Sequence, residues 1–360
     1  MALHVHPDIA ALSPYVPGKP IEELQRELGL TRVIKLASNE NPLGPSPKAL
    51  AVVNETAATL HRYPDGGAYR LREALADRWK VTLDHIILGN GSDEILGMLA
   101  RTFLSPGDEA VMADQTFVIY KMEVMAAHGK AVTVPLKQWR HDLSAMAAAI
   151  TASTRLLFLC NPNNPTGTMV SAEEVGRLLS RVPEHVIVVF DEAYVEYVRS
   201  AEFPDSLAYV REGRNVIVLR TFSKIYGLAG LRIGYGVTTP EMTNLLNRVR
   251  PPFNANSIAQ RAALAALDDD EHVANSRAVN QAGMEQVMAG LKTLGFAPIP
   301  SEANFVYFDA GRDGRELFEA LLHQGVIVRH IEGRMVRVTI GQTEDNQAFL
   351  TALARVIRAS

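Results

Sequence analysis

The sequence predicts an α/β protein: a large domain with a mostly parallel sheet covered by helices on both faces, plus a smaller α+β domain formed by both chain termini. Three observations carry this. Short runs rich in β-branched residues alternate with helical patterns through the middle of the chain. Those runs are apolar throughout rather than alternating, as strands buried on both faces must be. After about residue 255 the order changes to a long Ala-rich helical stretch followed by a few strands and helices. A length of 360 residues suits two domains at roughly 150 residues each.

Taken in order, residues 1–40 are Pro-rich and extended, an arm that contributes part of the small domain. Residues 41–255 make the large domain. Its strands are expected at His85–Leu88, Glu109–Met112, Ala131–Pro135, Leu156–Cys160, Val186–Phe190, Val216–Leu219 and Arg232–Val237. Between them, Asp93–Leu104 and Phe117–His128 carry apolar residues at helical spacing, and Gly129 sits where a helix C-cap belongs. Ser171 with Glu174 reads as a capping box ahead of Val175–Leu179. Residues 256–360 form the small C-terminal domain: helical over Ser257–Leu294, with strands at Asn304–Phe308, Val326–Arg329 and Met335–Ile340. A helix over Arg315–Gln324 separates the first two, and a last helix starts near Thr343. The one charge run, Asp268–Glu271, reads as a solvated helix end. No internal repeat is visible.

Composition excludes several classes. Apolar residues make up 47% and charged residues 21%, ordinary for a globular chain and against disorder. The net charge is −4, from 36 basic and 40 acidic residues, which argues against a nucleic-acid partner. Apolar runs stay far below the ~20 residues of a membrane span, so no membrane partner is expected. The start of the chain lacks the basic n-region of a targeting segment. The single cysteine, Cys160, forbids an intramolecular disulfide, which fits a cytoplasmic location. It and ten scattered histidines supply no clustered zinc ligands, and HExxH is absent, so no metal is expected.

Four strand ends carry chemistry-bearing residues. Gly89-Asn-Gly-Ser92-Asp93-Glu94 follows a strand and opens a helix, where free N–H groups favour phosphate; a tight structural turn is an equal reading. A dinucleotide fingerprint would need glycine at Glu94, which disfavours a nicotinamide dehydrogenase. Asn161–Gly167 follows the next strand and offers Asn163 and Asn164 as neutral donors, or is a plain loop. Asp191 ends a buried strand, where a carboxylate either caps a helix or meets a bound cation; Tyr194 follows it. Lys224 follows Thr221 and Ser223, with Arg232 beyond. A lysine in a buried crevice can lose its proton and attack a carbonyl, and hydroxyls with a guanidinium suit a phosphate. Singly, each has a bland reading. Together they match one ligand, pyridoxal phosphate: its aldehyde needs the lysine, its protonated ring nitrogen the acid, and its phosphate the rest.

The motif series resembles fold-type I, pyridoxal-phosphate-dependent aminotransferases, and within them the histidinol-phosphate aminotransferases. It comprises PYVPGKP at 14–20, SNENPLG at 38–44, YPDGG at 63–67, GNGSDE at 89–94, NPNNPTG at 161–167, DEAY at 191–194, TFSK at 221–224, GLAGLRIGYG at 227–236, SEANFVYF at 301–308 and RVTIG at 337–341. The resemblance implies that Lys224 forms the Schiff base and shuttles the proton, and that Asp191 pairs with the ring nitrogen. Asn164 and Tyr194 would bind the phenolate oxygen. Ser92, Asp93, Thr221, Ser223 and Arg232 would hold the phosphate, joined by Tyr63 from the partner of a homodimer with shared active sites. Phe117 would stack on the ring, where many relatives carry Tyr. Arg337, Tyr15 and Asn41 would bind substrate, and Asn304 lines the pocket or is structural. The implied reaction passes the amino group of L-histidinol phosphate to 2-oxoglutarate. An aromatic amino-acid transaminase or an amino-acid-phosphate decarboxylase on the same scaffold stays open, because one arginine can hold carboxylate or phosphate. A regulator with an aminotransferase-like domain would need a DNA-binding module, and none fits before residue 40.

Overall fold

The structure, a computed structural model, describes residues 4–15 and 17–359. The strands are β1 (Ile34–Lys35), β2 (Ile86–Gly89), β3 (Glu109–Ala113), β4 (Lys130–Val134), β5 (Thr154–Cys160), β6 (Ile187–Asp191), β7 (Val216–Thr221), β8 (Gly234–Thr238), β9 (Phe305–Asp309), β10 (Val326–Ile327), β11 (Arg329–Glu332) and β12 (Met335–Thr339). Seven form one sheet in the order β2-β8-β7-β6-β5-β3-β4. It is parallel from β4 through β7. Strand β8 runs antiparallel to both of its neighbours.

Alternate residues of the central strands feed two separate cores. In β6, Val188 and Phe190 join one apolar cluster, while Ile187 and Val189 join the other. Both faces therefore need helical cover, which is why these strands read as unbroken apolar runs. Helices Tyr69–Trp79 and Ser257–Leu267 bury their apolar faces in the first cluster. Helix Ser92–Phe103 buries its own in the second.

The remaining strands form a smaller α+β unit with a third core, in which Val306, Phe308, Val336 and Val338 pack under helices Gly314–His323 and Thr343–Arg358. Its three-stranded sheet has the order β11-β12-β9. Strand β1 pairs in parallel with β10, so a segment near the start of the chain completes the C-terminal unit. No helix of the described residues is long and apolar enough to cross a membrane.

Several boundaries differ from the expected ones for local reasons. The helix after Phe117 is shorter, Ile119–Ala126. The left-handed residue that ends it is His128 at φ 63°, not Gly129. Gly129 is required for space instead, since a Cβ there would stand 3.0 Å from a Leu104 methyl. The expected strand Arg232–Val237 begins at Gly234, because Arg232 turns at φ 55° after the short helix Ala229–Leu231. Ser257–Leu294 is two helices, Ser257–Leu267 and Asp270–Thr293. The break falls in the acidic run, where Asp269 is buried rather than solvated. It accepts from the Ser46 hydroxyl at 2.5 Å and from the His272 N–H at 3.4 Å, capping the second helix.

Gly227, in the loop after β7, sits at φ +69°, and a Cβ there would stand 2.0 Å from the carbonyl oxygen of Gly44. Its N–H also closes the turn onto the Lys224 carbonyl at 3.0 Å. Gly227→Ala should lower stability by on the order of 3 kcal/mol, because backbone would have to move. Gly176→Ala, in a helix with open space around it, should be neutral or stabilise by up to about 1 kcal/mol. Urea-unfolding midpoints of the two variants measure the contrast, and equal midpoints would refute it.

Candidate active site

The carboxyl ends of β5, β6 and β7 open into a cavity of about 560 Å³ between the large sheet and the small unit. Its floor is Asp191. Parallel register places Asp191 beside Cys160, and both are buried. The Asp191 carboxylate accepts from the Tyr120 hydroxyl at 2.5 Å and from the Ala193 N–H at 3.2 Å, both neutral donors. Burial pushes its pKa up to about 6, against the lowering effect of the Tyr120 bond. Tyr120 is itself fixed by stacking on Phe158, with ring centroids 4.8 Å apart. Phe117 meets Tyr120 edge-on at 5.6 Å and forms one wall of the cavity.

Lys224 stands on the other side. Its Nζ donates to the Ser38 carbonyl at 3.3 Å and lies 5.8 Å from the Tyr194 ring centroid. Burial pulls its pKa down to about 8, and the nearby Arg337 cation adds to the shift. That poises the amine as a nucleophile near neutral pH. The Tyr194 hydroxyl accepts from the Asn39 amide at 2.9 Å and the Asn164 amide at 3.4 Å. Arg337, in β12, is buried. It donates to Asn164 Oδ1 at 2.5 Å and to the Ala37 carbonyl at 2.8 Å, while its Nε has no partner.

An anion cup lies beyond the lysine. Helix Ser92–Phe103 begins at Ser92 after Gly91 at φ +78°. A Cβ on Gly91 would strike the Arg232 guanidinium at 2.3 Å, and one on Gly234 would strike the Ser92 nitrogen at 2.4 Å. These two glycines let the helix start and Arg232 converge. Arg232 reaches Ser223 Oγ at 3.4 Å and Asp93 at 3.5 Å. Thr221 ends β7 within the same cavity wall. Open N–H groups at a helix start with an arginine and hydroxyls suit a phosphate. A matching ligand carries a ring nitrogen that can be protonated, a carbonyl within reach of an amine, and a phosphate.

Two expected residues do not join the site of their own chain. Asn41 lies outside the cavity. Its amide donates to the Ile225 carbonyl at 2.7 Å and the Ser276 hydroxyl at 2.8 Å, and its oxygen accepts from the Leu43 N–H, so it is structural here. The amide that does face the site is two residues earlier: Asn39, turned inward at φ 56° and held by Thr339. Tyr63 is 82% exposed and stacks on Phe253 at 4.6 Å, away from this cavity. Tyr15 lines the cavity mouth under the Arg329 guanidinium, 5.4 Å from its ring centroid. Asn304 stands behind the wall, where its amide donates to the Asn39 carbonyl at 3.0 Å.

The family model for class I and II aminotransferases matches residues 31–353. The chain belongs to that family. A histidinol-phosphate aminotransferase from Moorella thermoacetica is 55% identical over 354 residues, 97% of this chain and 92% of the relative. Among solved aminotransferase structures, the histidinol-phosphate aminotransferase of Sinorhizobium meliloti in complex with pyridoxal-5'-phosphate has a TM-score of 0.92 at 30% identity. That match covers 100% of this chain and 99% of the other. A Thermus thermophilus aspartate aminotransferase double mutant has a TM-score of 0.85 at 25% identity, covering 99% and 100% of the two chains.

Sequence reasoning missed Tyr120, Asn39 and the Ser38 carbonyl in this aminotransferase. Tyr120 was recoverable: three residues after Phe117, within the stretch expected to be helical from Phe117 on, it would share that residue's face. Asn39 carried no such signal, because choosing between two asparagines in SNEN requires knowing which residue adopts the left-handed turn.

The lysine makes a pH prediction. Its folded pKa of about 8 lies below its ordinary 10.5, so the unfolded chain binds the proton more tightly between those values. Stability contributed by this group is present above 10.5 and is lost as pH falls through about 8. Ligand-free Lys224→Met should therefore be more stable than wild type below pH 8, by a margin that narrows toward pH 10.5. Urea midpoints across pH measure it; a margin that is constant with pH would show the lysine to be unperturbed.

Proposed function

We propose that this aminotransferase uses pyridoxal phosphate to move the amino group of L-histidinol phosphate to 2-oxoglutarate, giving imidazole-acetol phosphate and glutamate in histidine biosynthesis. The observation that carries the reading is the pairing of two unneutralised charges across one cavity: buried Asp191 with only neutral donors, and half-buried Lys224 held short of its ordinary basicity. The cofactor fits that pair and the anion cup. Pyridoxal phosphate supplies an aldehyde for the amine and a protonated ring that takes up the electron pair left when a Cα–H bond breaks.

Asp191 holds the proton on the ring nitrogen, and Tyr120 keeps the carboxylate oriented. Lys224 would hold the cofactor's aldehyde, and its amine, with a lowered pKa, would carry the proton between donor Cα and cofactor C4′. Asn164 and Tyr194 hold the phenolate oxygen, and Phe117 covers the ring face. Ser92 and Asp93 through their backbone, with Thr221, Ser223 and Arg232, hold the phosphate. Arg337 receives the anionic end of each substrate. Its guanidinium rests on neutral oxygens, so a carboxylate or phosphate can displace them. Tyr15 closes the mouth near the donor phosphate.

The assembly proposed is a cytoplasmic homodimer. A buried free Cys160 is consistent with a reducing compartment. Support for the dimer is Tyr63, whose exposure outside its own cavity suits a role over the neighbouring subunit's phosphate. The large domain is taken as residues 41–255 and the small one as 256–360, joined by part of the arm 1–40.

Three experiments test this reading. Comparing kcat/KM for histidinol phosphate, phenylalanine, tyrosine and histidine as donors should rank histidinol phosphate first; an aromatic donor well ahead would replace it. Arg337→Lys should weaken both half-reactions together, because lysine cannot form the bidentate fork. For the shared site, inactive Lys224→Ala chains mixed with inactive Tyr63→Ala chains should recover activity in hybrid dimers. Verified subunit exchange without recovery would refute the shared site.

A further inference from the structure

We propose that His6, Asp8 and His128 form a binding site for a divalent transition-metal ion, of which Zn²⁺ is the probe chosen here, and that the ion clips the N-terminal arm to the large domain. The three side chains bring one ligand atom each within 4.8 Å of one another. His6 Nδ1 lies 3.3 Å and His128 Nδ1 3.4 Å from the same Asp8 oxygen. Zinc bonds of about 2.0–2.1 Å in a tetrahedron place neighbouring ligand atoms roughly 3.3–3.4 Å apart. Both histidine-to-aspartate distances match that spacing and are wider than a good charge-assisted hydrogen bond; His6 Nδ1 also accepts from the Asp8 N–H at 3.3 Å, a bond that an ion would displace.

His128 supplies two further observations. Its Nδ1 is shut off from solvent and makes no hydrogen bond, although a carboxylate stands opposite. A buried ring nitrogen left without a partner is costly, and an ion is one way to satisfy it. His128 also occupies the left-handed position at the end of helix Ile119–Ala126, with φ 63°, while the freely rotating Gly129 beside it does not. Left-handed backbone at a residue other than glycine costs energy, and such residues cluster at functional sites. The His6 and His128 rings are in contact, with centroids 3.7 Å apart at 43°, so an ion that takes both as neutral imidazoles must spread them.

Two imidazoles and one carboxylate, with no thiolate, suit Zn²⁺, Co²⁺ or Ni²⁺ over Mg²⁺ or Ca²⁺. His6 is about half exposed, which leaves room for water at a fourth position. The site ties the short helix Pro7–Ala10 to helix Ile119–Ala126. The first leads on to Ser13 and Tyr15 at the cavity mouth, and the second follows directly on Phe117 and Val118 in the cavity wall. An ion there would anchor the arm beside the entrance without touching the reacting groups.

The test uses tag-free holoenzyme, dialysed against chelator and desalted, with Zn²⁺ added by calorimetry and Co²⁺ followed by its visible absorbance. One ion per chain should bind at micromolar metal, with a tetrahedral Co²⁺ spectrum. His6→Ala, Asp8→Asn and His128→Asn should each weaken binding at least tenfold, while the cofactor absorbance stays unchanged. Asn is used at 128 because it tolerates a positive φ. Zn²⁺ should also slow protease cleavage within the arm of the wild type and not of His6→Ala. Absence of stoichiometric binding, or binding that all three variants retain, overturns the proposal.

Discussion

A carboxylate buried at the end of a parallel strand, with only neutral donors around it, is the constraint that organises this site. Taking Asp191 out of water is expensive, and two hydrogen bonds from Tyr120 and Ala193 offset only part of the cost. The rise of its pKa to about 6 expresses the remainder. A protein that wanted only stability would place a lysine against it. Lys224 is close at hand in the next strand connection, yet it faces Ser38 and Tyr194 instead. A salt bridge between the two would neutralise both and leave neither available to a ligand. Keeping them apart preserves an anion waiting for a cation and an amine able to lose its proton.

That separation depends on backbone geometry more than on side-chain choice. Register between β5 and β6 fixes the depth of Asp191, and the stacked rings of Tyr120 and Phe158 fix the hydroxyl that orients it. The anion cup needs Gly91 and Gly234, where a single Cβ would collide with Arg232 or the Ser92 nitrogen. Arg232 is itself set by a left-handed turn that pulls it out of β8 and back across the loop. Cup and floor are thus built from consecutive strand ends of one sheet, so their spacing cannot drift independently.

The parallel sheet was legible because its strands are apolar on both faces; the lysine and the acid were legible because they stand at the ends of such strands, and Arg232 because it comes eight residues after Lys224. What stayed hidden was decided by single dihedral angles or by distant pairing. Asn39 rather than Asn41 faces the cavity because Asn39 takes the left-handed turn. Asp269 is buried because Ser46, far away in the chain, reaches its carboxylate. Strand β1 has only two residues, too short to show a period, and exists because β10 lies alongside it. The cluster of His6, Asp8 and His128 has no spacing signature, since the fold alone brings the arm beside helix Ile119–Ala126.

Arg337 shows how the two halves of the molecule act together. It belongs to the small unit, yet its Nη1 rests on Asn164 of the large sheet and its Nη2 on Ala37 of the N-terminal segment. Two other stretches of chain therefore hold the one guanidinium in place. Its partners are neutral oxygens, which bind a cation more weakly than a carboxylate or phosphate does. The fork is ordered in advance, so an anion gains charge-assisted bonds without a large further cost in side-chain freedom. Asn164 shares in this, because the same amide that accepts from Arg337 donates to Tyr194 beside the lysine. Under the proposed roles, an anion that took over Nη1 would change what Asn164 can offer beside Tyr194 and the lysine, tying substrate recognition to the groups proposed to perform the chemistry.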